Sequence, residues 1–317
     1  MTELALRETV AVDRCDHCGC TNSSLALDAS PWTLVKCAEC QFVFTSPRLS
    51  DDSLSKIYSE EYYENADHYA AQQVDPPSSD HEDLARQAMR ILKKSNRDLT
   101  SMDVGCGGGR LVEAFSNAGF QASGVEPSEA TVRIARKAGR DVTVQDVSQL
   151  KTNDFDCVTA MHVLEHVTSP TEFMEHLFRI TRPGGLCVTE VPNFASKAAQ
   201  EQGADWFALH PSTHLSHFTP GSLGNCLQKA GFSVRSLQRL GGAGVFADVS
   251  EATASKKPKT AKNRESLTVR QRLLKPIWRL RSVVTSIPAA RRFARWVNWE
   301  VLGHGQFVRA FAVKPPR

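Results

Sequence analysis

The chain has 317 residues, 41% of them hydrophobic and 23% charged, with a formal net charge of +3. That suits a soluble protein of one large domain with a smaller unit attached, and no apolar run approaches the ~18 residues of a membrane span. The charge is uneven: residues 256–295 hold thirteen Lys or Arg against the single acid Glu265, +12 in all, which leaves −9 on the remainder, an acidic body with a basic arm.

The opening MTELALRETVAVDRC carries early acids and no apolar core, so it does not read as a secretory signal. Four of the nine cysteines fall in CDHC (15–18) and CAEC (37–40), separated by eighteen residues. Each pair on a tight knuckle can aim two thiolates at one ion, so Cys15, Cys18, Cys37 and Cys40 are the expected ligands of a structural zinc. An iron centre of rubredoxin type and four unrelated buried cysteines are the other readings. Asp16 and His17, inside the first knuckle, read as exposed, and Cys20 as a bystander. The remaining cysteines are scattered among hydrophobic residues, a pattern that suits a reducing cytosol and a cytoplasmic protein. Residues 1–50 are expected to form a zinc-ribbon-like module, since so short a unit needs a staple.

Residues 51–94 read as a helical lid or linker. Tyr58, Tyr62, Tyr63 and Tyr69, all the tyrosines of the chain, are spaced for one helical face, either packed on the main domain or closing over a ligand. QVDPPSSD (73–80) reads as a turn, and an amphipathic helix follows to about Lys94.

Residues 95–245 read as a nucleoside-binding α/β core. A strand over 99–104 ends near Asp103; Gly105, Gly107, Gly108 and Gly109 form a turn; Leu111, Val112, Phe115 and Ala118 recur at helical spacing; Gly119 ends the helix. A dinucleotide fingerprint is excluded, because its third small position is occupied here by Arg110. An acid ahead of the glycines also repels a pyrophosphate and suits a ligand with an amino group. A second strand ends at Glu126, 23 residues after Asp103, where an acid can accept both ribose hydroxyls. A third strand ends at Asp146, which can accept from an adenine amino group, and a fourth ends at Met161. Helix, turn and fifth strand follow in HLFRITRPGGLCVTEVPN. Strands alternating with helices predict a Rossmann-like, seven-stranded, mostly parallel sheet with helices on both faces.

The D-x-G-x-G-x-G loop resembles motif I of class I S-adenosyl-L-methionine (SAM) methyltransferases, and the strand series over about 85–240 is similar to theirs in order and spacing. The resemblance implies SAM as cofactor, held by Asp103, Gly105, Gly107, Gly109, Glu126, Asp146 and Met161. HPSTHLSHFTPGSLGNCLQKAGFSV (210–234) resembles the group that includes the ubiquinone-biosynthesis O-methyltransferases. The cysteine knuckles followed by a Tyr-rich helix resemble bacterial sugar methyltransferases, including C-methyltransferases of nucleotide-linked sugars. Those C-methyltransferases carry a further C-terminal sugar-binding domain, and the expectation from length is that a full one does not fit here.

Residues 246–304 form a basic segment, divided into short helices by Pro276 and Pro288. With Trp278, Trp296 and Trp299 among its arginines, residues 256–300 suit ordinary packing, an anionic membrane surface that would make the protein peripheral, or a partner. No RNA-binding motif points to nucleic acid. GQFVRAFAVKP, within 305–317, alternates like a final strand, expected antiparallel beside the fifth.

The fourth strand runs into His162, Glu165 and His166. A helical turn would put both histidines on one face with Glu165 beside them. Three roles stay open for this trio: His166 as general base toward a methyl acceptor, a divalent ion held by the three with His214 or His217 as a further ligand, and a structural turn. The stretch resembles the ExxEH metal motif of related methyltransferases, with His162 in place of the first Glu. The expected activity is methyl transfer from SAM to an oxygen of a small-molecule or sugar-type acceptor. Its alternatives are C-methylation of a nucleotide-linked sugar, 2′-O-methylation of RNA ends, and a binding module that holds SAM without turnover.

Overall fold

The computed structural model describes residues 8–57, 75–92, 98–151, 154–241 and 305–316. The four tyrosines and the basic segment 256–300 lie outside the described residues.

The main sheet has seven strands: β6 (Thr100–Val104), β7 (Gln121–Glu126), β8 (Val142–Val144), β9 (Phe155–Met161), β10 (Thr181–Pro192), β12 (Ser233–Leu240) and β13 (Phe307–Val313). Their order is β12-β13-β10-β9-β6-β7-β8. The run from β10 to β8 is parallel, and β13 is antiparallel to both its neighbours, β10 being the partner expected for it. The chain builds β6, β7 and β8 outward and then crosses back to place β9 on the other side of β6. That reversal opens a crevice at the carboxyl ends of β6 and β9, where ligands of such sheets bind.

Each crossover helix has a local cause. The helix α3 (Arg110–Asn117) turns Leu111, Val112, Ala114 and Phe115 inward, and Gly119, at φ +96°, ends it. The helix α4 (Glu129–Lys137) is capped by Ser128, whose side chain accepts from the Thr131 N–H, with Glu129 in its first turn and Arg136 and Lys137 in its last. The helix α7 (Pro220–Lys229) starts at a capping box formed by Thr219 and Ser222, with Pro220 at its first position. Side chains alternate along β9: Val158 and Ala160 pack with Met174 and Leu177 of helix α5 (Pro170–Ile180) and Leu227 of α7. Cys157 faces the opposite side, against Leu84 and Ala88 of helix α2 (Ser79–Leu92) and Phe115 of α3. Helices therefore cover both faces.

The N-terminal strands β2 (Ser23–Ala29), β3 (Trp32–Cys37) and β4 (Val43–Thr45) form a second sheet. Its fourth strand, β11 (Ser216–His217), comes from the His-rich stretch between β10 and α7, in the order β11-β4-β3-β2. A short pair, β1 (Thr9–Val10) with β5 (Arg48–Leu49), completes this end, followed by helix α1 (Asp51–Lys56). The core of the large domain runs without a break into Cys15, Cys37, Phe42, Phe44 and Phe218. Burial of Phe42 and Phe44 alone is worth about 1.5–3 kcal/mol each, so the module is seated on the main domain.

Asp16 and His17 differ from their expected exposure. Asp16 is half-buried beside Arg48, 2.6 Å away, and the buried His17 ring lies 3.3 Å from the Thr171 hydroxyl, with Lys229 donating to its carbonyl. His17 thus joins the first knuckle to the large domain, while Asp16 ties it to β5. Among the described residues, no helix is long and apolar enough to cross a membrane.

Candidate active site

The glycine loop leaves β6 at Gly105. Gly105, Gly107 and Gly109 all have positive φ, +68°, +53° and +74°, a region that side chains with a Cβ rarely adopt. At Gly105 a Cβ would come within 2.6 Å of Val163 on the turn after β9, so the loop and that turn touch. Glu126, at the end of β7, is buried and accepts from the Gly107 N–H through Oε2 and the Ser128 N–H through Oε1, each at 3.1 Å. It holds the loop's shape, and a carboxylate with about four acceptor sites keeps capacity for a diol. Asp103, also buried, accepts from the Thr159 hydroxyl at 2.6 Å. Burial, opposed by that hydrogen bond and helped by Glu126, pushes its carboxyl up to about 7.

Asp146 lies beyond the observed end of β8, exposed, with its carboxylate accepting from the Ser148 N–H at 2.8 Å. The third strand is shorter than expected because Asp146 instead caps a short 3-10 turn over Val147–Gln149. Met161 is the last residue of β9 and half-buried.

The turn after β9 is not helical. His162 takes a left-handed conformation, φ +57°, and the chain then folds back, so the two histidines do not share a helical face. The His162 Nε2 lies 3.1 Å from Glu190 Oε1, and its Nδ1 lies 3.4 Å from Glu165 Oε1. Burial alone would discharge His162, but Glu165 and Glu190 outweigh it and raise its pKa. Glu190, held by Arg309 and His162, is moved down. His162 is thus an ion-paired anchor in the core.

On the other side of Glu165 stand His166 and His214, rings 4.6 Å apart at 82°. His166 Nδ1 donates to the Thr213 carbonyl and His214 Nδ1 to the Ala208 carbonyl, at 3.1 and 3.0 Å. Those bonds leave Nε2 of each ring as the lone-pair nitrogen. Burial lowers the pKa of both, and for His214 the neighbouring His166, His210 and His217 lower it further. Both Glu165 carboxylate oxygens are buried with no hydrogen-bond partner among the described residues. Ligand atoms of Glu165, His166 and His214 lie within 4.8 Å of one another. Two neutral imidazoles and a carboxylate, oriented by carbonyls behind them, suit either proton abstraction or a divalent ion.

The four knuckle cysteines also converge, with their sulfurs within 4.8 Å of one another. The Cys15–Cys40 and Cys18–Cys37 sulfur pairs stand 3.5 Å apart. A tetrahedron of Zn–S bonds of about 2.3 Å requires separations of about 3.8 Å, so the set fits one zinc ion.

Two residues beside the site escape sequence reading: Glu190 and Arg309, charges inside otherwise apolar strands, which was the available signal.

A parallel sheet that reverses at β6, a glycine loop on its first strand and a buried carboxylate ending the next define the cofactor half of a class I SAM-dependent methyltransferase. The comparisons agree. A family model described as a methyltransferase domain matches residues 78–237, just over half of the 317 residues, and the chain belongs to that family. Among curated relatives, the ubiquinone biosynthesis O-methyltransferase of Maricaulis maris is 32% identical over 152 residues, covering 43% of this chain and 60% of that protein. The enzyme of the same name from Xanthomonas oryzae pv. oryzae is 37% identical over 126 residues, covering 36% and 53%. The matched stretch thus spans little more than half of each relative. The solved structure of Haemonchus contortus phosphoethanolamine N-methyltransferase 2 with SAM aligns over 87% of this chain and 63% of that one, with a TM-score of 0.50 and 13% identity, a likeness of fold.

Proposed function

We propose that this protein moves a methyl group from SAM to a hydroxyl of a small-molecule acceptor, in the crevice between the glycine loop and the turn after β9. The observation that supports it most is the Glu165–His166–His214 cluster, beside the turn that touches Gly105. SAM supplies an electrophilic methyl on a sulfonium. Gly105, Gly107 and Gly109 offer close backbone approach to it, and Glu126 offers carboxylate acceptors to a ribose. Asp103, Asp146 and Met161 are the further proposed contacts. The acceptor must lie in line with the methyl and lose a proton. His166, its Nδ1 held by the Thr213 carbonyl, presents Nε2 to take that proton, and Glu165 favours the imidazolium that forms. His162, one of the candidate trio in the sequence, is assigned here to anchoring Glu165.

A second reading is favoured by the buried Glu165 oxygens, which among the described residues meet the His162 ring at 3.4 Å and no closer hydrogen-bond partner. Glu165, His166 and His214 would hold a divalent ion, which would lower the pKa of an acceptor hydroxyl. His166→Ala should keep SAM affinity and lower turnover about 10²–10⁴-fold. Loss of activity on chelation and its return with Mg²⁺ or Zn²⁺ would select the ion, and near-normal turnover in the variant without metal dependence would overturn both.

The curated relatives named for O-methylation support an oxygen acceptor. A panel of phenols, sugars and nucleotide-linked sugars, with deuterated-methyl SAM and mass spectrometry, tests it against a sugar-type acceptor and C-methylation. Cys15, Cys18, Cys37 and Cys40 are proposed to hold one structural zinc. Residues 256–300 are proposed to meet an anionic surface or partner; salt-independent behaviour toward anionic liposomes would remove the membrane version.

A further inference from the structure

The strand that leaves the four-cysteine centre reaches the acceptor side of the crevice. Cys37 N–H donates to the Phe42 carbonyl at 2.9 Å, closing the second knuckle directly ahead of β4. Phe44 and Val43 of β4 then pair with Ser216 and His217 of β11. At the end of β4, Thr45 is fully buried. Its N–H donates to the Leu215 carbonyl at 3.0 Å. Its hydroxyl donates to the His214 carbonyl at 3.2 Å, and so accepts from His217 Nε2 at 3.0 Å. From the opposite side, the N–H groups of Leu215 and Ser216 both donate to the Glu165 carbonyl, at 2.7 and 3.1 Å. Residues 214–217 are therefore clamped between β4 and the turn that carries Glu165 and His166.

We propose that Thr45 is a positioning residue for the acceptor site, and that the four-cysteine centre, acting through β4, sets the placement of His214 against Glu165 and His166. The chemistry at His214 rests on the function proposed above; the clamp does not. A hydroxyl that bridges a carbonyl and an imidazole cannot be replaced by a methyl without leaving both buried groups unsatisfied. If Thr45 only filled space, valine would serve as well.

The test uses full-length Thr45→Val, Thr45→Ser and Cys37→Ser proteins. Metal content, SAM affinity by calorimetry, hydrogen exchange by mass spectrometry and turnover are measured on each. Thr45→Val should keep its zinc and bind SAM within about twofold of wild type. Its amides at 213–217 should exchange about tenfold faster, and turnover should fall by about tenfold. Thr45→Ser, which keeps the hydroxyl, should restore both. Cys37→Ser should lose zinc and show the same faster exchange at 213–217. Should Thr45→Val lose SAM binding through misfolding, Thr45→Ala is read on the same scales. Wild-type exchange at 213–217 in a folded variant lacking the hydroxyl would overturn the proposal. Exchange and metal content need no acceptor, so a wild type inactive on every acceptor would sink the proposed function and leave this test standing.

Discussion

Glu190 of β10 and Arg309 of β13 are direct cross-strand partners, their Oε2 and Nε 2.5 Å apart, both nearly excluded from solvent. The other Glu190 oxygen meets His162, so a row of alternating charge, Arg309, Glu190, His162 and Glu165, crosses the sheet at the ligand end. Glu190→Gln would leave two buried cations facing a neutral amide. Breaking such a pair costs about 3–5 kcal/mol, so the melting temperature should drop clearly. A melting temperature equal to that of wild type would show the row contributes nothing.

Glu126→Ala removes the acceptor for the Gly107 and Ser128 N–H groups and any acceptor for a ribose. SAM binding should weaken by about 1–3 kcal/mol in titration calorimetry. Tight NAD binding in the wild type, with none of SAM, would overturn the cofactor assignment altogether.

Asp103 makes a pH prediction with a definite sign. Its folded carboxyl titrates at about 7, against ~3.9 when unfolded. Across that window the native state holds a proton that the unfolded chain has released, so this group's contribution falls as pH rises and is lowest above the folded value. Asparagine is neutral throughout. The stability of Asp103→Asn relative to wild type should therefore rise between about pH 5 and pH 8, measured by thermal denaturation without cofactor. A difference that stays flat with pH would show that Asp103 does not titrate there.

Freshly purified protein should contain about one zinc per chain, and Cys37→Ser should lose it and loosen the N-terminal strands. Elemental analysis decides this, and metal-free wild-type protein would refute it.

Much of this molecule was legible without coordinates, because the signals are local. The D-x-G-x-G-x-G loop needs glycines where φ is positive, the acid at Glu126 ends a strand a set distance on, and two C-x2-C knuckles can converge on one ion wherever the chain between them runs. Alternation in the last segment marked it as a strand, and the methyltransferase resemblance supplied its antiparallel place beside the fifth, where β13 lies between β10 and β12. Other features are products of register and crossover alone. His162 and His166 are four residues apart, yet a left-handed turn sends one to Glu190 and the other to His214, and no periodicity encodes that. Glu190 meets Arg309 across 119 positions of sequence because β13 returns beside β10 in one register. Thr45 meets His214 and His217 because β4 and β11 share a sheet. The sequence by itself determined the glycine loop, the cysteine set and the succession of strands and helices along the chain, since backbone conformation and cysteine spacing are set by neighbours in the chain. Only the tertiary structure decided which titratable groups face one another in the crevice, because burial and ion pairing depend on what the rest of the chain brings to the same point.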